Sequence, residues 1–411
     1  MNETHYDIVI AGGGMIGSSL ALALAPLGLR IGVIEAVPRG EADQPSFDDR
    51  STALARSTQR MFEAMGLWPD IVAASTPIHR IHVSDQGRFG FSHIDADEQG
   101  VEALGYVVIN RVLGRVLQAA VREQQAVDVV CPARVTGVTR SLARVAVDIE
   151  TDDERVRRLS CSLLVGADGA NSSVRDLLGI AASRERYEQR AVIGNLLPEK
   201  PVDNVAYERF TPQGPLAVLP VAGGRAAFVW TVAEHDAERV MGLDDASFLD
   251  ELQREFGYRL GRLSRVGKRA SYPLVLSKAL RLTATRSVLI GNAAHGLHPV
   301  SAQGFNLGMR DVAALVDCLA DARQNPAAFD PGAEAVLGRY ADWRRADQKK
   351  LVRFTDSLVK LFGSHRPPLR ILRNVGMLGF DLVPGVRSVF ARHTMGLAGR
   401  LPRLSRGVPV K

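Results

Sequence analysis

The chain reads as an α/β protein that combines a parallel sheet with antiparallel pieces. Short apolar runs stop at glycine-rich turns, as buried parallel strands do, and Ala- and Leu-rich helical stretches follow those turns at once. Between them lie segments that alternate apolar and polar residues, the pattern of antiparallel strands. With 411 residues, 46% hydrophobic and 23% charged, the chain can bury more than one core, which excludes a disordered or fibrous protein.

The first apolar run is Tyr6 to Ala11, and Gly12-x-Gly14-x-x-Gly17 follows directly. Ser18 to Leu27 then reads as a helix, and a second strand, Arg30 to Ile34, ends in Glu35. Each part has a physical task. Gly12 allows the tight turn, Gly14 removes the Cβ that would block a pyrophosphate, and Gly17 lets helix and strand approach closely. The phosphates would sit on the free N–H groups and positive end of the helix. Glu35, 23 positions after Gly12, can accept both hydroxyl hydrogens of an adenosine ribose and would repel a 2′-phosphate. This Rossmann-like unit fits FAD or NAD better than NADP, and the motif alone does not choose between the first two.

Two later segments repeat the design. Leu163 to Val165 is a strand that runs into Gly166-Ala167-Asp168-Gly169 and a helix start rich in small polar residues. Ser287 to Ile290 is another, followed by Gly291-Asn292-Ala293-Ala294-His295 and then by Pro299, Gln303, Gly304, Asn306, Leu307, Gly308 and Asp311. Arg111 to Gln124 reads as a helix, and Leu216–Val221 with Arg225–Val232 as a hairpin turning at Ala222-Gly223-Gly224.

At these three segments the sequence resembles the flavoprotein aromatic hydroxylases, the group A monooxygenases that include para-hydroxybenzoate hydroxylase. The resemblance implies that FAD lies extended across all three, with its isoalloxazine ring near Pro299 to Asn306. It thereby makes Gly12, Gly14, Gly17, Glu35, Asp168, Gly291, Asn292, Pro299, Gly304 and Asn306 candidate cofactor residues. Arg50 and Arg111 match family positions that approach the flavin, against the plain alternative of surface arginines. Asn292 replaces the family's usual Asp and brings no charge. His295 and His298 flank the expected ring position, either as a proton relay or as packed, hydrogen-bonded histidines, so no catalytic base is assigned.

The chain also resembles the ubiquinone-biosynthesis branch of that family, the 2-polyprenyl-6-methoxyphenol hydroxylase branch. The matching segments include Asp48-Asp49-Arg50-Ser51-Thr52-Ala53-Leu54, Val83-Ser84-Asp85, Glu208-Arg209-Phe210-Thr211, Gly214-Pro215-Leu216-Ala217-Val218-Leu219-Pro220 and Thr355-Asp356-Ser357-Leu358. This implies that NADPH or NADH acts as a transient co-substrate to reduce FAD, and that O2 then forms a flavin C4a-hydroperoxide. That species would hydroxylate a membrane-derived prenylated phenol. Other ring positions, a soluble phenol, and a non-catalytic FAD-binding subunit of a biosynthetic assembly remain as alternatives.

The expected architecture is a discontinuous, para-hydroxybenzoate hydroxylase-like FAD-binding domain over 1–75, 100–180 and 275–330. An antiparallel-sheet substrate domain is expected over 76–99 and 181–274, and a basic helical region over 331–411. Those last residues carry 16 Lys and Arg against 5 Asp and Glu, so the chain's net +6 is +11 there and −5 before it. The mild total argues against a nucleic-acid partner. Leu351 to Phe362 and Leu369 to Leu382 read as amphipathic helices that either cover the flavin domain or meet anionic lipid or a ubiquinone-biosynthesis protein complex. Three separated cysteines, Cys131, Cys161 and Cys318, form no metal or disulfide pattern. The uncharged run Ile8 to Leu29 follows Glu3 and Asp7 and is broken by glycines and Pro26, so it is neither a signal peptide nor a membrane span. The expected location is cytoplasmic, with peripheral contact at the inner face of the cell membrane through the basic region.

Gly14→Asp is expected to abolish flavin binding, because a carboxylate would occupy the pyrophosphate's place. Full flavin absorbance in the purified variant would overturn the placement of the first turn.

Overall fold

The structure is a computed structural model that describes residues 4–38, 50–87, 91–153, 155–296, 303–347 and 384–410. Pro299, His298, the Leu351–Phe362 stretch and the Leu369–Leu382 stretch lie outside the described residues.

The first apolar run forms strand Thr4–Ala11, every residue of which from Ile8 to Ala11 is buried. It pairs in parallel with Val156–Gly166 on one side and Ile31–Ile34 on the other. Ile31–Ile34 pairs with Val127–Val130, and Val156–Gly166 with Ser287–Leu289, also in parallel. Helices Met15–Leu24 and Gln303–Arg323 pack against each other over this sheet, and Asn110–Glu123 lies beside Met15–Leu24. The core they share includes Ile8, Ile10, Leu20, Leu24, Leu164, Val312 and Leu315.

The second sheet is formed by the segments expected to be antiparallel, with one difference. Its strands Ala182–Pro198, Arg225–Ala233, Gly214–Val221 and Val205–Thr211 pair antiparallel in that order, but Val205–Thr211 pairs in parallel with Arg80–Asp85. The two segments are separated by more than a hundred residues, so no tight turn constrains their direction. Strand Ala270–Ala279 belongs to this sheet and runs past residue 274. The hairpin turn has Gly223 and Gly224 at φ of +78° and +71°, which glycine adopts without strain.

The faces of that sheet have different partners. Phe228, Trp230, Leu216, Val218 and Val192 pack under helix Asp245–Phe256. On the other face Ala206, Leu219, Val221 and Ala227 meet a small third sheet and helix Pro384–Thr394. The third sheet is Ser51–Ala55, Gly105–Ile109 and Ser75–Ile78, all antiparallel. It joins the two larger sheets, and its short strands carried too little alternation to be read from sequence.

The described end of the chain packs back on the body. Leu404 and Val410 enter the main core, and Ala391 and Met395 the smaller one. No described helix is long and apolar enough to cross a membrane.

Phe248 is fully buried from the helix side, 5.7 Å from the ring centres of both Phe228 and Trp230, with the Arg269 guanidinium over its own ring. Phe248→Ala should cost about 3–5 kcal/mol through lost burial and the cavity left behind, measured as a shift of the urea unfolding curve.

Candidate active site

The site follows from strand register. Ala11 lies opposite both Ile34 and Gly166, and Gly166 opposite Leu289, so the parallel strands stop at one level. The turns after them emerge side by side at the carboxyl edge of the sheet, where such folds bind ligands. Backbone bonds continue the alignment. Gly12 N–H donates to the Ile34 carbonyl at 2.8 Å, Ala167 N–H to Ala11 at 2.8 Å, and Ile290 N–H to Gly166 at 3.0 Å.

The first turn leaves no room for a side chain at Gly12 or Gly17. Gly12 sits at φ +101°, and a Cβ there would lie 2.5 Å from the Ala167 carbonyl oxygen. One at Gly17 would lie 1.8 Å from the Gly12 carbonyl oxygen. Gly14 caps helix Met15–Leu24 in an extended conformation, with no side-chain cap and no acid in the first turn. The helix therefore presents unopposed N–H groups and positive dipole to an incoming pyrophosphate, as a dinucleotide requires. Glu35 spans from the second strand to this turn, its Oε2 accepting from Gly13 N–H at 2.6 Å and its Oε1 from Val37 N–H at 2.8 Å. Each oxygen keeps a lone pair for a ribose hydroxyl.

The second turn is tied by Asp168. Its carboxylate accepts from the Ser172 hydroxyl at 2.5 Å and from Val174 N–H at 3.0 Å. Ser172 in turn caps helix Ser173–Leu177 by accepting from Arg175 N–H. Arg175, 1% exposed, donates to the Ala170 carbonyl at 3.1 Å and to the Ala293 carbonyl at 3.2 Å. One guanidinium thus joins the second turn to the third.

The third turn hangs on Asp311, which is fully buried on helix Gln303–Arg323. Its Oδ2 accepts from Gly291 N–H at 2.8 Å and lies 2.6 Å from His295 Nε2, while its Oδ1 accepts from Arg344 Nε at 2.5 Å. Burial alone would raise this carboxyl, but the neighbouring His295 and Arg344 and the Gly291 N–H outweigh it and hold it below the usual carboxylate range. Arg344 also donates to Asp347, and Tyr340 from the same helix, 334–347, donates to the Leu289 carbonyl at 3.1 Å. His295 is therefore a packed, hydrogen-bonded histidine. Gly291 takes φ +58°, Asn292 is exposed at the edge, and a Cβ on Gly308 would lie 2.7 Å from Ile16 and 3.3 Å from the Gly291 Cα.

The remaining candidates border this edge. Gly304 begins the long helix with open space where a Cβ would be. Asn306 clamps the small sheet, its Oδ1 accepting from Ala55 N–H and the Thr58 hydroxyl, both at 2.8 Å, and its Nδ2 donating to the Ala53 carbonyl at 2.8 Å. Arg50 lies just before strand Ser51–Ala55 with its guanidinium 4.8 Å from the Tyr272 ring centre. Arg111 is exposed in the first turn of helix Asn110–Glu123, next to Asn110, whose N–H donates to the Arg50 carbonyl. The roles of Arg175 and Arg344 were missed in the sequence reading. The signal for Arg175 was its place just inside the second motif, whereas Arg344 stands 33 residues from its partner and carried none.

Asp311→Asn should remove about 3–5 kcal/mol of stability by leaving Arg344 charged and buried without its counter-ion. It should also weaken flavin retention on gel filtration, because the Gly291 turn loses a charged acceptor. The depressed carboxyl contributes stability above its ordinary value of 3.8 that is lost as pH falls below it. The difference between wild type and variant in thermal unfolding should therefore shrink on acidification.

Comparison with known proteins agrees with this geometry. The family described as FAD binding domain matches residues 5–355. The chain is 37% identical to the ubiquinone hydroxylase UbiL of Rhodospirillum rubrum, over 98% of this chain and 93% of that one. It is 30% identical to the 3-demethoxyubiquinol 3-hydroxylase of Escherichia coli, over 97% and 100%. The fold is that of the p-nitrophenol 4-monooxygenase PnpA of Pseudomonas putida, with a TM-score of 0.80 over 97% of this chain and 100% of that one at 19% identity. The chain belongs to the FAD binding domain family, as a FAD-dependent aromatic monooxygenase of the branch that contains these hydroxylases.

Proposed function

We propose that the protein hydroxylates a polyprenylated phenol, 2-polyprenyl-6-methoxyphenol, in ubiquinone biosynthesis, using NADPH or NADH and O2. The observation that carries this reading is the meeting of three dinucleotide-type turns at one sheet edge, linked through the small sheet to an apolar face of the second sheet. The ubiquinone-pathway names of relatives aligned along nearly the whole chain support the substrate class.

The chain's own residues bind, orient and exclude water. Gly12, Gly14 and Gly17 make room for the pyrophosphate, and Glu35 offers acceptors to the adenosine ribose. Arg175 and Asp311 hold the second and third turns in fixed relation, so that the ring of a bound flavin has one position. When bound and reduced by a nicotinamide, the flavin supplies the activation of O2 that no protein side chain can provide. The part of the second sheet around Ala217 and Val229, beside the Ala206, Leu219 and Ala227 cluster, would take the prenylated ring and keep water from the reacting oxygen. Peripheral contact with anionic lipid or a biosynthetic complex through the basic C-terminal region would deliver that substrate.

A mass-spectrometric profile of quinone intermediates in aerobically grown cells lacking the gene tests the reading. Loss of ubiquinone with accumulation of the prenylated methoxyphenol is expected. Accumulation of a different prenylated phenol would keep the pathway and move the ring position. Normal ubiquinone, together with NADPH oxidation by the purified flavoprotein that prenylated phenols do not stimulate, would overturn it.

A further inference from the structure

Glu208 lies in strand Val205–Thr211, whose side chains alternate between the two faces of the large sheet. Tyr207 points to the helix-covered face, where it meets Phe256 with ring centres 5.7 Å apart. Ala206 points the other way, into the cluster with Leu219, Ala227 and Ala53. Glu208 shares the Ala206 face. Its neighbours in register there are Val83 and Ala217, with Val229 beyond Ala217.

That face is linked to the candidate cofactor edge: Ala53 packs in the same cluster, and its carbonyl accepts from Asn306 near the start of the long helix. A carboxylic acid is an unlikely choice for such a wall on packing grounds alone. Glu208 Oε1 is buried without any hydrogen-bond partner, although the residue as a whole is only partly buried. A buried acid with an unpartnered oxygen is a group that a polar atom of a bound molecule would satisfy.

The charged surroundings are sparse. On the same face the titratable side chains are Asp85, in register with Phe210, and Tyr272, in register with Ala191 and with the Arg50 guanidinium over its ring. Arg209, Tyr207 and His82 lie on the opposite face. The small sheet presents Ala53, Val107 and Ile109, helix Pro384–Thr394 presents Phe390 and Ala391, and Met395 follows that helix. Burial without an opposing cation pushes the Glu208 carboxyl up to about 7. That brings it nearer to a phenol, about 10 for a tyrosine-like hydroxyl, so proton transfer between them is less uphill than to an ordinary carboxylate.

We propose that Glu208 receives the substrate's phenolic hydroxyl, orients the ring by that hydrogen bond, and accepts its proton as the ring is hydroxylated. This rests on the phenol-hydroxylase reading above. The phenol O–H bond breaks, its proton passes to the Glu208 carboxylate and its electron pair moves into the ring. Electron density rises at the carbons ortho and para to the oxygen, where one oxygen of the O2 that a nicotinamide-reduced flavin would activate is added as the O–O bond breaks and the other oxygen leaves as hydroxide. The oxygenated carbon then sheds its own proton to restore aromaticity, that proton joins the hydroxide to make water, and Glu208 returns its proton to the phenolate oxygen.

The test uses the full-length flavin-loaded chain with NADPH, O2 and 2-geranyl-6-methoxyphenol between pH 5.5 and 8.5. In wild type, kcat/KM for hydroxylated product should rise with pH to a plateau, with its midpoint near 7. Glu208→Gln should keep its FAD, lose that limb, and fall by about 10²-fold at the plateau. Binding of the probe, read from its perturbation of the flavin absorbance, should lose its pH dependence in the same variant. A Glu208→Gln protein with wild-type rate and pH profile would overturn the assignment of Glu208 alone. Wild-type protein that reduces its flavin but hydroxylates no phenol would overturn the functional reading and this assignment with it. Should Glu208→Gln fail to retain FAD, Glu208→Asp decides. The retracted carboxylate is expected to keep the pH limb at a reduced rate, and an undiminished rate would count against the proposal.

Discussion

The architecture depends on one buried carboxylate. Asp311 takes its three partners from a helix beyond residue 330, from the third turn and from the residue that ends it, so three segments of the chain share a single charge. An isolated buried carboxylate would cost several kcal/mol in desolvation. Arg344, His295 and the Gly291 N–H together repay that cost, and the repayment is geometric as well as energetic. Gly291 can take its left-handed conformation and pass within a Cβ's reach of Gly308 because its N–H has a fixed acceptor beneath it.

From that anchor the rest of the edge follows by contact. Gly308 admits Ile16, Ile16 belongs to the helix that Gly14 caps, and Gly12 and Gly17 press that helix start against the second turn. Arg175 closes the circuit by holding carbonyls of the second and third turns at once. The glycines are thus less about flexibility than about removing volume at places where two backbones must touch. A single Cβ at Gly17 would force its helix off the sheet and open the pyrophosphate site.

Much of this was legible in sequence because it is local. The Thr4–Ala11 strand, the turn and the helix after it occupy consecutive residues, so apolar runs and glycine spacing report them directly. What escaped was non-local. Asn306 reads as a cofactor residue by motif, yet its amide spends its hydrogen bonds on Ala53, Ala55 and Thr58 of a small sheet that pairs segments fifty residues apart. The parallel pairing of Val205–Thr211 with Arg80–Asp85 was hidden for the same reason. Charge counting also misleads at a distance. Part of the basic C-terminal excess is matched inside the molecule, where Arg403 pairs with Asp317 and Asp321 and Arg400 stacks on Trp343. The number of cations there is therefore not a measure of free positive surface.

Two acids of this molecule, Asp311 and Glu208, separate support from chemistry. Asp311 has every oxygen engaged and is held below the usual carboxylate range, so it stays charged and cannot exchange a proton without dismantling the turn above it. Glu208 has an oxygen with no partner and is pushed toward neutrality by burial alone. A fold that only needed stability would have placed an apolar residue there, since an unsatisfied buried carboxyl costs free energy and returns none. That cost is sustained on the sheet face that Glu208 shares with Ala206 and Ala217. The contrast follows from environment rather than residue type: cations and N–H groups fix one acid, and their absence leaves the other free to take a proton.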